Sequence, residues 1–142
     1  MYILGEIVEH RETGMKSYCG NPNSIADSIL ELLYNPELCA NIVKKAKAKV
    51  MYICNAMTQP GETDGFGVSD HIKVLEQYLG ENAIDVVIAS NTDIPKEMLE
   101  KYETEEQKDQ VPIDYENIKK AKYELIEDDL LTTSDGTIKH IV

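Results

Sequence analysis

The sequence predicts an α/β protein of Rossmann-like type, a three-layer α/β/α arrangement with a small, mostly parallel sheet between two layers of helices. Residues 50–54 are a continuous apolar run of strand length, the pattern of a strand covered by helices on both faces, and residues 84–89 read as the next buried strand. Segments with apolar residues three and four apart alternate with those runs, and such alternation implies parallel pairing through right-handed crossovers. At 142 residues the chain has the length of about one domain. That is enough to bury roughly two thirds of the unfolded surface without a metal or a disulfide. Residues 1–142 are therefore expected to fold as a single α/β domain.

Taken in order, residues 5–10 read as a short helical turn and, after the Thr13-Gly14 turn, residues 15–19 as a short strand. Asn21 can cap a first helix and Pro22 suits its first position, with Ile25, Ala26, Ile29, Leu30 and Leu33 on one face. Asn35-Pro36 repeats that start signal, and Leu38, Cys39, Ile42, Val43 and Ala46 make the buried stripe of a second helix. The strand at 50–54 runs into a polar loop, residues 55–68. Ser69 or Asp70 can cap the next helix, whose Ile72, Leu75, Tyr78 and Leu79 keep helical spacing until Gly80 supplies a left-handed stop. After the strand at 84–89, Asn91-Thr92-Asp93 leads to a short helix from Pro95 to about Glu103. The run 103–109 is too charged for a core and reads as a solvated helix end or loop. Residues 111–113 read as an edge strand, because Pro112 has no N–H to give a central ladder. A helix at 115–121, a strand at 123–126, a turn at 132–136 and a strand at 137–142 complete the chain.

Composition excludes several classes. The formal net charge is −12, from 26 acidic residues against 14 Lys and Arg, so neither a phosphate backbone nor an anionic membrane finds the positive face it needs. Nucleic acid and membrane are thus not expected partners. Residues 1–50 hold six acids and six bases, whereas residues 51–142 hold twenty acids and eight bases and carry the whole excess. Cys19, Cys39 and Cys54 form no Cys-x-x-Cys pair and read as reduced core or near-core thiols. Without an export signal in the N-terminal residues or an apolar run of about eighteen residues, the expected compartment is the cytoplasm. A strand left exposed at 15–19 or 137–142 would favour a homodimer by self-pairing at the sheet edge.

The loop after the strand at 50–54 is the chemically richest stretch. A loop running from a parallel strand toward a helix N-terminus walls the crevice in which α/β folds bind ligands. Asn55, Thr58, Gln59 and Thr63 offer neutral donors and acceptors suited to sugar or phosphate oxygens; bonding to their own backbone is the alternative. Gly61 belongs to the same glycine-rich turn. Glu62 and Asp64, two residues apart, can converge on a magnesium ion or act as acid and base, or they can cap the following helix. His71 in the first helical turn would be held neutral by the helix dipole, as suits a base, unless it is simply packed. His10 and His140 share no metal-binding spacing with it. Asp128-Asp129 reads as a solvated corner.

Residues 55–66, Asn-Ala-Met-Thr-Gln-Pro-Gly-Glu-Thr-Asp-Gly-Phe, followed by Ser69-Asp70-His71, resemble the family of 2-phospho-L-lactate transferase (CofD) and the gluconeogenesis factor YvcK. The resemblance spans about residues 49–140 and covers only the C-terminal part of that family. It implies a Rossmann-like core, a uridine nucleotide sugar such as UDP-N-acetylglucosamine as ligand, and Tyr102 as the tyrosine that meets the sugar. Magnesium is implied only for a phosphotransferase acting on a deazaflavin precursor. The family's upstream glycine-rich loop and Asp-Asp-Gly-Gly motif have no counterpart here, and Lys139-His140 stands where the family shows Arg-His. A lysine there gives up the bidentate guanidinium grip.

Residues 5–10 with Thr13-Gly14, and residues 20–38, resemble instead the closing part of the nucleotide-sugar domain of retaining GT-B glycosyltransferases. The implied reading is a chimera joined near Val50. It would be a Rossmann-like scaffold without turnover that keeps part of a nucleotide-sugar crevice at Asn55, Thr58, Gln59, Gly61, Glu62, Thr63, Asp64, Tyr102 and Lys139. No catalytic residue and no metal ligand is assigned. A regulatory binding protein of the YvcK type is the alternative, and a CofD-type phosphotransferase the more distant one.

Overall fold

The structure, a computed structural model, describes residues 8–134 and 137–140. It comprises two compact units, one of Met1–Val50 with Val74–Ala83 and the other of Met51–Lys73 with Ile84–Val142.

The first unit holds helices α1 (Pro22–Tyr34) and α2 (Pro36–Ala46). Both start as their sequence requires. The Asn21 side chain accepts from the N–H groups of Asn23 and Ser24, that of Asn35 accepts from Leu38 N–H, and a proline occupies each first position. Ile42 of α2 is buried, while α1 buries no residue at all and leaves its apolar face in solvent. Residues 15–19 form no strand: Gly14 makes only an isolated bridge with His10, and Cys19 is exposed rather than near the core. Residues 8–10 are not helical, and the rest of the expected helical turn, like the end of the final strand, lies outside the described residues.

The second unit contains the parallel sheet predicted for an α/β fold. Strands β1 (Met51–Ile53), β2 (Val86–Ser90) and β3 (Glu124–Asp128) lie in the order β1-β2-β3, with Ile53 opposite Ile88 and Ile88 opposite Ile126. The connection from β1 to β2 carries α3 (Val68–Leu79); that from β2 to β3 carries α4 (Lys96–Lys101), a π-helical turn (Tyr102–Glu106) and α5 (Tyr115–Ile118). The core gathers around the central strand, where Val87 and Ala89 are buried with Cys54, Val68, Ile72, Ile84, Ile94, Val111, Ile118 and Leu131.

Several boundaries depart from the sequence pattern. β1 is an edge strand rather than one covered on both faces: Met51 and Ile53 are 55% and 61% exposed, and β2 takes the buried place. Residues 111–113 form no strand, since Pro112 cannot donate; its carbonyl accepts from Val68 N–H instead. The expected turn at 132–136 begins instead as strand β4 (Leu131–Ser134), paired antiparallel with β5 (Thr137–His140). Thr132 and Thr133 are good strand residues, and Asp135-Gly136 of the expected turn lie outside the described residues. The charged run after Tyr102 continues the preceding helix as the π turn and ends at Gln107 in a left-handed conformation.

Helix α3 begins earlier than expected and is capped differently. Asp70 reaches back to accept Gly67 N–H at 3.1 Å, while Asp114, 45 residues downstream, accepts Ser69 N–H at 2.9 Å and the Ser69 hydroxyl at 2.5 Å. Neither Ser69 nor Asp70 is the capping residue itself. Gly80 ends the helix at φ +98°, as its sequence position predicted.

Candidate functional site

A cleft of about 340 Å³ opens at the carboxyl end of β1, where parallel sheets place ligands. Its floor is the chain leaving β1: Asn55, Ala56, Met57, Thr58 and Gln59. Tyr102, Glu106 and Lys108 from the π turn and its exit form one wall, and Leu131, Ile138 and Lys139 from the β4-β5 hairpin form the other.

Long-range hydrogen bonds hold these pieces together. Thr58, 2% exposed, donates its N–H to Asp109 O at 2.8 Å, and its Oγ1 accepts Asp109 N–H at 2.9 Å. Val111 N–H bonds Ala56 O, and Met57 bridges Gln110, so residues 56–58 and 109–111 form a short antiparallel ribbon. Tyr102 accepts Ile138 N–H on its phenol oxygen at 3.0 Å, which ties the π turn to the hairpin and leaves the phenol proton for another acceptor. The Lys108 ammonium pairs with Glu106 at 2.7 Å, and Lys139 is exposed at the rim. A π-helical turn at such a place is a recurrent feature of functional sites.

Of the nine residues singled out in the sequence, the cleft brings together Asn55, Thr58, Gln59, Tyr102 and Lys139. Gly61, Glu62, Thr63 and Asp64 do not line it. Their loop is organised on itself: Thr63 Oγ1 accepts Gln59 N–H at 2.8 Å, and Asp64 accepts Gly61 N–H at 2.9 Å, where φ of +78° suits only glycine without strain. Glu62 stays exposed. Self-bonding, the alternative kept open for this loop, is what Thr63 and Asp64 do. Sequence reasoning missed Glu106, Lys108, Leu131 and Ile138. Only the antiparallel contact of 56–58 with 109–111 and the fold of the hairpin reveal them, and neither leaves a local sequence signal.

His71 is buried and packed rather than aimed at the cleft. Its ring meets Phe66 edge-on at 5.3 Å and Tyr52 at 6.3 Å, its Nε2 has no hydrogen-bond partner, and burial lowers its pKa against a smaller upward pull from Asp70. The Cys54 thiol is pushed up to about 11, chiefly by burial, and Tyr52 to about 12 by burial and the neighbouring Cys54 thiol. A thiol so poorly ionised is no nucleophile. Asp128 and Asp129 are both exposed, as a solvated corner requires; Asp129 accepts the Thr92 hydroxyl at 2.6 Å, and Asp128 accepts Asp129 N–H. Among the described residues no group of three or more His, Cys, Asp or Glu converges as a metal site, and no helix is long and apolar enough to cross a membrane.

The small, parallel, helix-flanked sheet defines a Rossmann-like α/β protein, with a cleft lined by hydroxyls, two lysines and Glu106 at a strand's carboxyl end. The particular lineage follows from comparison: the chain matches the family described as 2-phospho-L-lactate transferase CofD over residues 20–131, and it belongs to that family. It is 40% identical over 119 residues to the gluconeogenesis factor of Bacillus subtilis, covering 84% of this chain and 37% of that protein. It is 43% identical over 122 residues to a putative gluconeogenesis factor of Thermotoga maritima, covering 83% and 37%. A crystal structure of a UPF0052-family protein from Bacillus halodurans superposes with a TM-score of 0.66 at 31% identity, covering 80% of this chain and 36% of that one. The chain thus spans about a third of the length of these relatives.

Proposed function

We propose that the cleft binds a uridine nucleotide sugar of the UDP-N-acetylglucosamine type, and that the chain acts by binding, as a regulatory member of the gluconeogenesis-factor branch, rather than by turnover. One observation carries this reading. Tyr102, Lys139, Asn55, Thr58 and Gln59 come together in one cleft with the Lys108–Glu106 ion pair, a set of neutral hydrogen-bonding groups and a lysine at the rim that suits a hydroxyl-rich ligand with an anionic group. The names of the relatives support a role in that branch. A phosphotransferase using magnesium has less support, because Asp64 is bonded to its own loop and Glu62 lies outside the cleft.

Thermal unfolding with and without millimolar UDP-N-acetylglucosamine tests it. A ligand at a hundredfold excess over Kd stabilises the native state by about 2.7 kcal/mol, a shift of several degrees for a chain of this size. Lys139→Ala and Tyr102→Phe should shrink the shift, and Glu62→Gln should leave it intact. A melt indifferent to the ligand overturns the proposal, and magnesium-dependent product formation would move the protein to the transferases.

A chimeric origin is a second reading with an observation in its favour: the first boundary of the compact units and the onset of the acidic excess both fall at Val50. The family match begins at residue 20, inside the glycosyltransferase-like segment, and favours common descent of both parts. On either reading residues 8–50 act as scaffold, since none of these described residues lines the cleft.

A further inference from the structure

The exit of the central strand carries a hydrogen-bond junction that no motif in the sequence marks. Thr92 lies two residues beyond β2 and does not itself line the cleft. Its hydroxyl donates to Asp129 Oδ1 at 2.6 Å and accepts Leu131 N–H at 3.1 Å, and its carbonyl accepts Gln110 Nε2–H at 3.1 Å. A hydroxyl has one proton and Asp129 takes it, so the 2.8 Å bond between Thr92 and Ser90 is donated by the Ser90 hydroxyl. Thr92 Oγ1 is thereby saturated, with one bond given and two accepted. A threonine in a turn bonds backbone within about four residues of itself. Thr92 instead bonds Gln110, Asp129 and Leu131, which stand 18, 37 and 39 positions away.

We propose that Thr92 is a positioning residue of the cleft, which acts through the hairpin to hold Lys139 where a ligand's anionic group meets it. Leu131 opens β4 and is buried in the cleft wall, and Lys139 is the register partner of Thr132, the very next residue. Any shift at the start of β4 is therefore passed to Lys139. On the other side, Gln110 belongs to the ribbon whose bridge to Met57 borders the cleft floor. Thr92 thus ties both floor and wall to the end of β2, the strand paired on both of its sides. Tyr102 holds β5 through Ile138 N–H and Thr92 holds β4, so without the threonine hydroxyl the hairpin pivots on Tyr102. All of these residues belong to the sheet-bearing unit. The inference rests on the function proposed above only for the ligand that reports the displacement.

Titration calorimetry of the full chain with UDP-N-acetylglucosamine tests it, together with amide hydrogen exchange in the absence of ligand. Thr92→Val keeps the shape and removes the hydroxyl, and it should weaken binding about tenfold, whereas Thr92→Ser should bind within about twofold of the parent. Because Thr92 acts through Lys139, Thr92→Val should cost much less in a Lys139→Ala background; a merely structural role gives the same loss in both. Without ligand, Thr92→Val should speed exchange at 131–134 and 137–140 while 86–90 keep their protection. Gln110→Met cuts the tie to the ribbon and should weaken binding about threefold, which carries the test if Thr92→Val folds too poorly to titrate. Unchanged exchange in the hairpin overturns the proposal, as do equal losses with and without Lys139, or an affinity indifferent to both Thr92→Val and Gln110→Met. A parent chain with no affinity for the nucleotide sugar overturns the ligand reading instead, and the exchange result then decides the positioning role by itself.

Discussion

Asp114→Ala should be the most damaging single substitution of a polar residue in the sheet-bearing unit. Asp114 accepts Ser69 N–H at 2.9 Å, the Ser69 hydroxyl at 2.5 Å and Asn117 Nδ2–H at 2.8 Å, and Ser69 is 6% exposed. Burial alone would raise the Asp114 pKa, but the bonds from Ser69 and Asn117 outweigh it and hold the carboxyl below its ordinary value. Removing the carboxylate takes away the cap of α3, worth about 1 kcal/mol. It also strands the buried hydroxyl of Ser69, at about 1–3 kcal/mol. The expected total is about 3 kcal/mol, near the upper end for single substitutions. In urea, at a slope of about 2 kcal/mol per molar, the midpoint should fall by about 1.5 M. Asp114→Asn keeps an acceptor for the Ser69 amide and should cost about 1 kcal/mol. The carboxylate contributes fully above the unfolded pKa of about 3.9, and its contribution is lost as pH falls through the lower folded value. The wild-type advantage over Asp114→Ala should therefore shrink only in acid. A loss under 1 kcal/mol, or strict additivity with Ser69→Ala, would refute the reasoning.

Burial lowers the pKa of His71, 6% exposed with an unpartnered Nε2, so below about pH 6.5 the unfolded chain binds a proton more readily than the folded chain. Stability should fall as pH drops through that window, by up to about 1.4 kcal/mol per pH unit, and denaturation of His71→Phe at pH 5.5 and 7.5 should lack that component. Tyr52 and Asp70 are its titratable neighbours, and neither titrates in that range. Gly67→Ala would put a Cβ 3.0 Å from Asp114 Cγ, and since Ser69 and Asn117 pin that carboxylate, a loss of about 1 kcal/mol is expected by urea denaturation. Thr58→Val keeps the shape but strands the Asp109 amide, with about 1–2 kcal/mol lost in the same assay, whereas Thr63→Val should disturb only its own loop.

What the sequence revealed is what local chemistry decides. The Asn-Pro starts of α1 and α2, the glycine stop of α3, the strand-length apolar run at β2 and the polar exit from β1 follow from single residues and their near neighbours. What it hid depends on partners far along the chain. Asp114 reads as the residue before a short helix, and only folding places it on Ser69. Lys108 and Ile138 carry no motif and enter the cleft through the ribbon at 109–111 and the hairpin. The edge position of β1 was illegible for another reason: an apolar run records that a strand is meant to be covered, not whether the covering elements are present.

The cleft and the adjoining loop differ in how they are made, and this separates the residues that resemble the family from those that can act in it here. Residues 59–66 satisfy their backbone among themselves, through Thr63 and Asp64, so this loop can keep its shape while contributing nothing to the cleft. The cleft exists only where residues 55–59 meet a π turn and a hairpin far along the sequence, and Tyr102 joins the last two through Ile138 N–H. Its geometry is thus a product of the tertiary fold of the sheet-bearing unit. Any change that loosens the Thr58–Asp109 pair or the Tyr102–Ile138 bond should weaken ligand binding even where no ligand-facing group is altered. The acids of the loop, which by sequence look most chemical, should matter least.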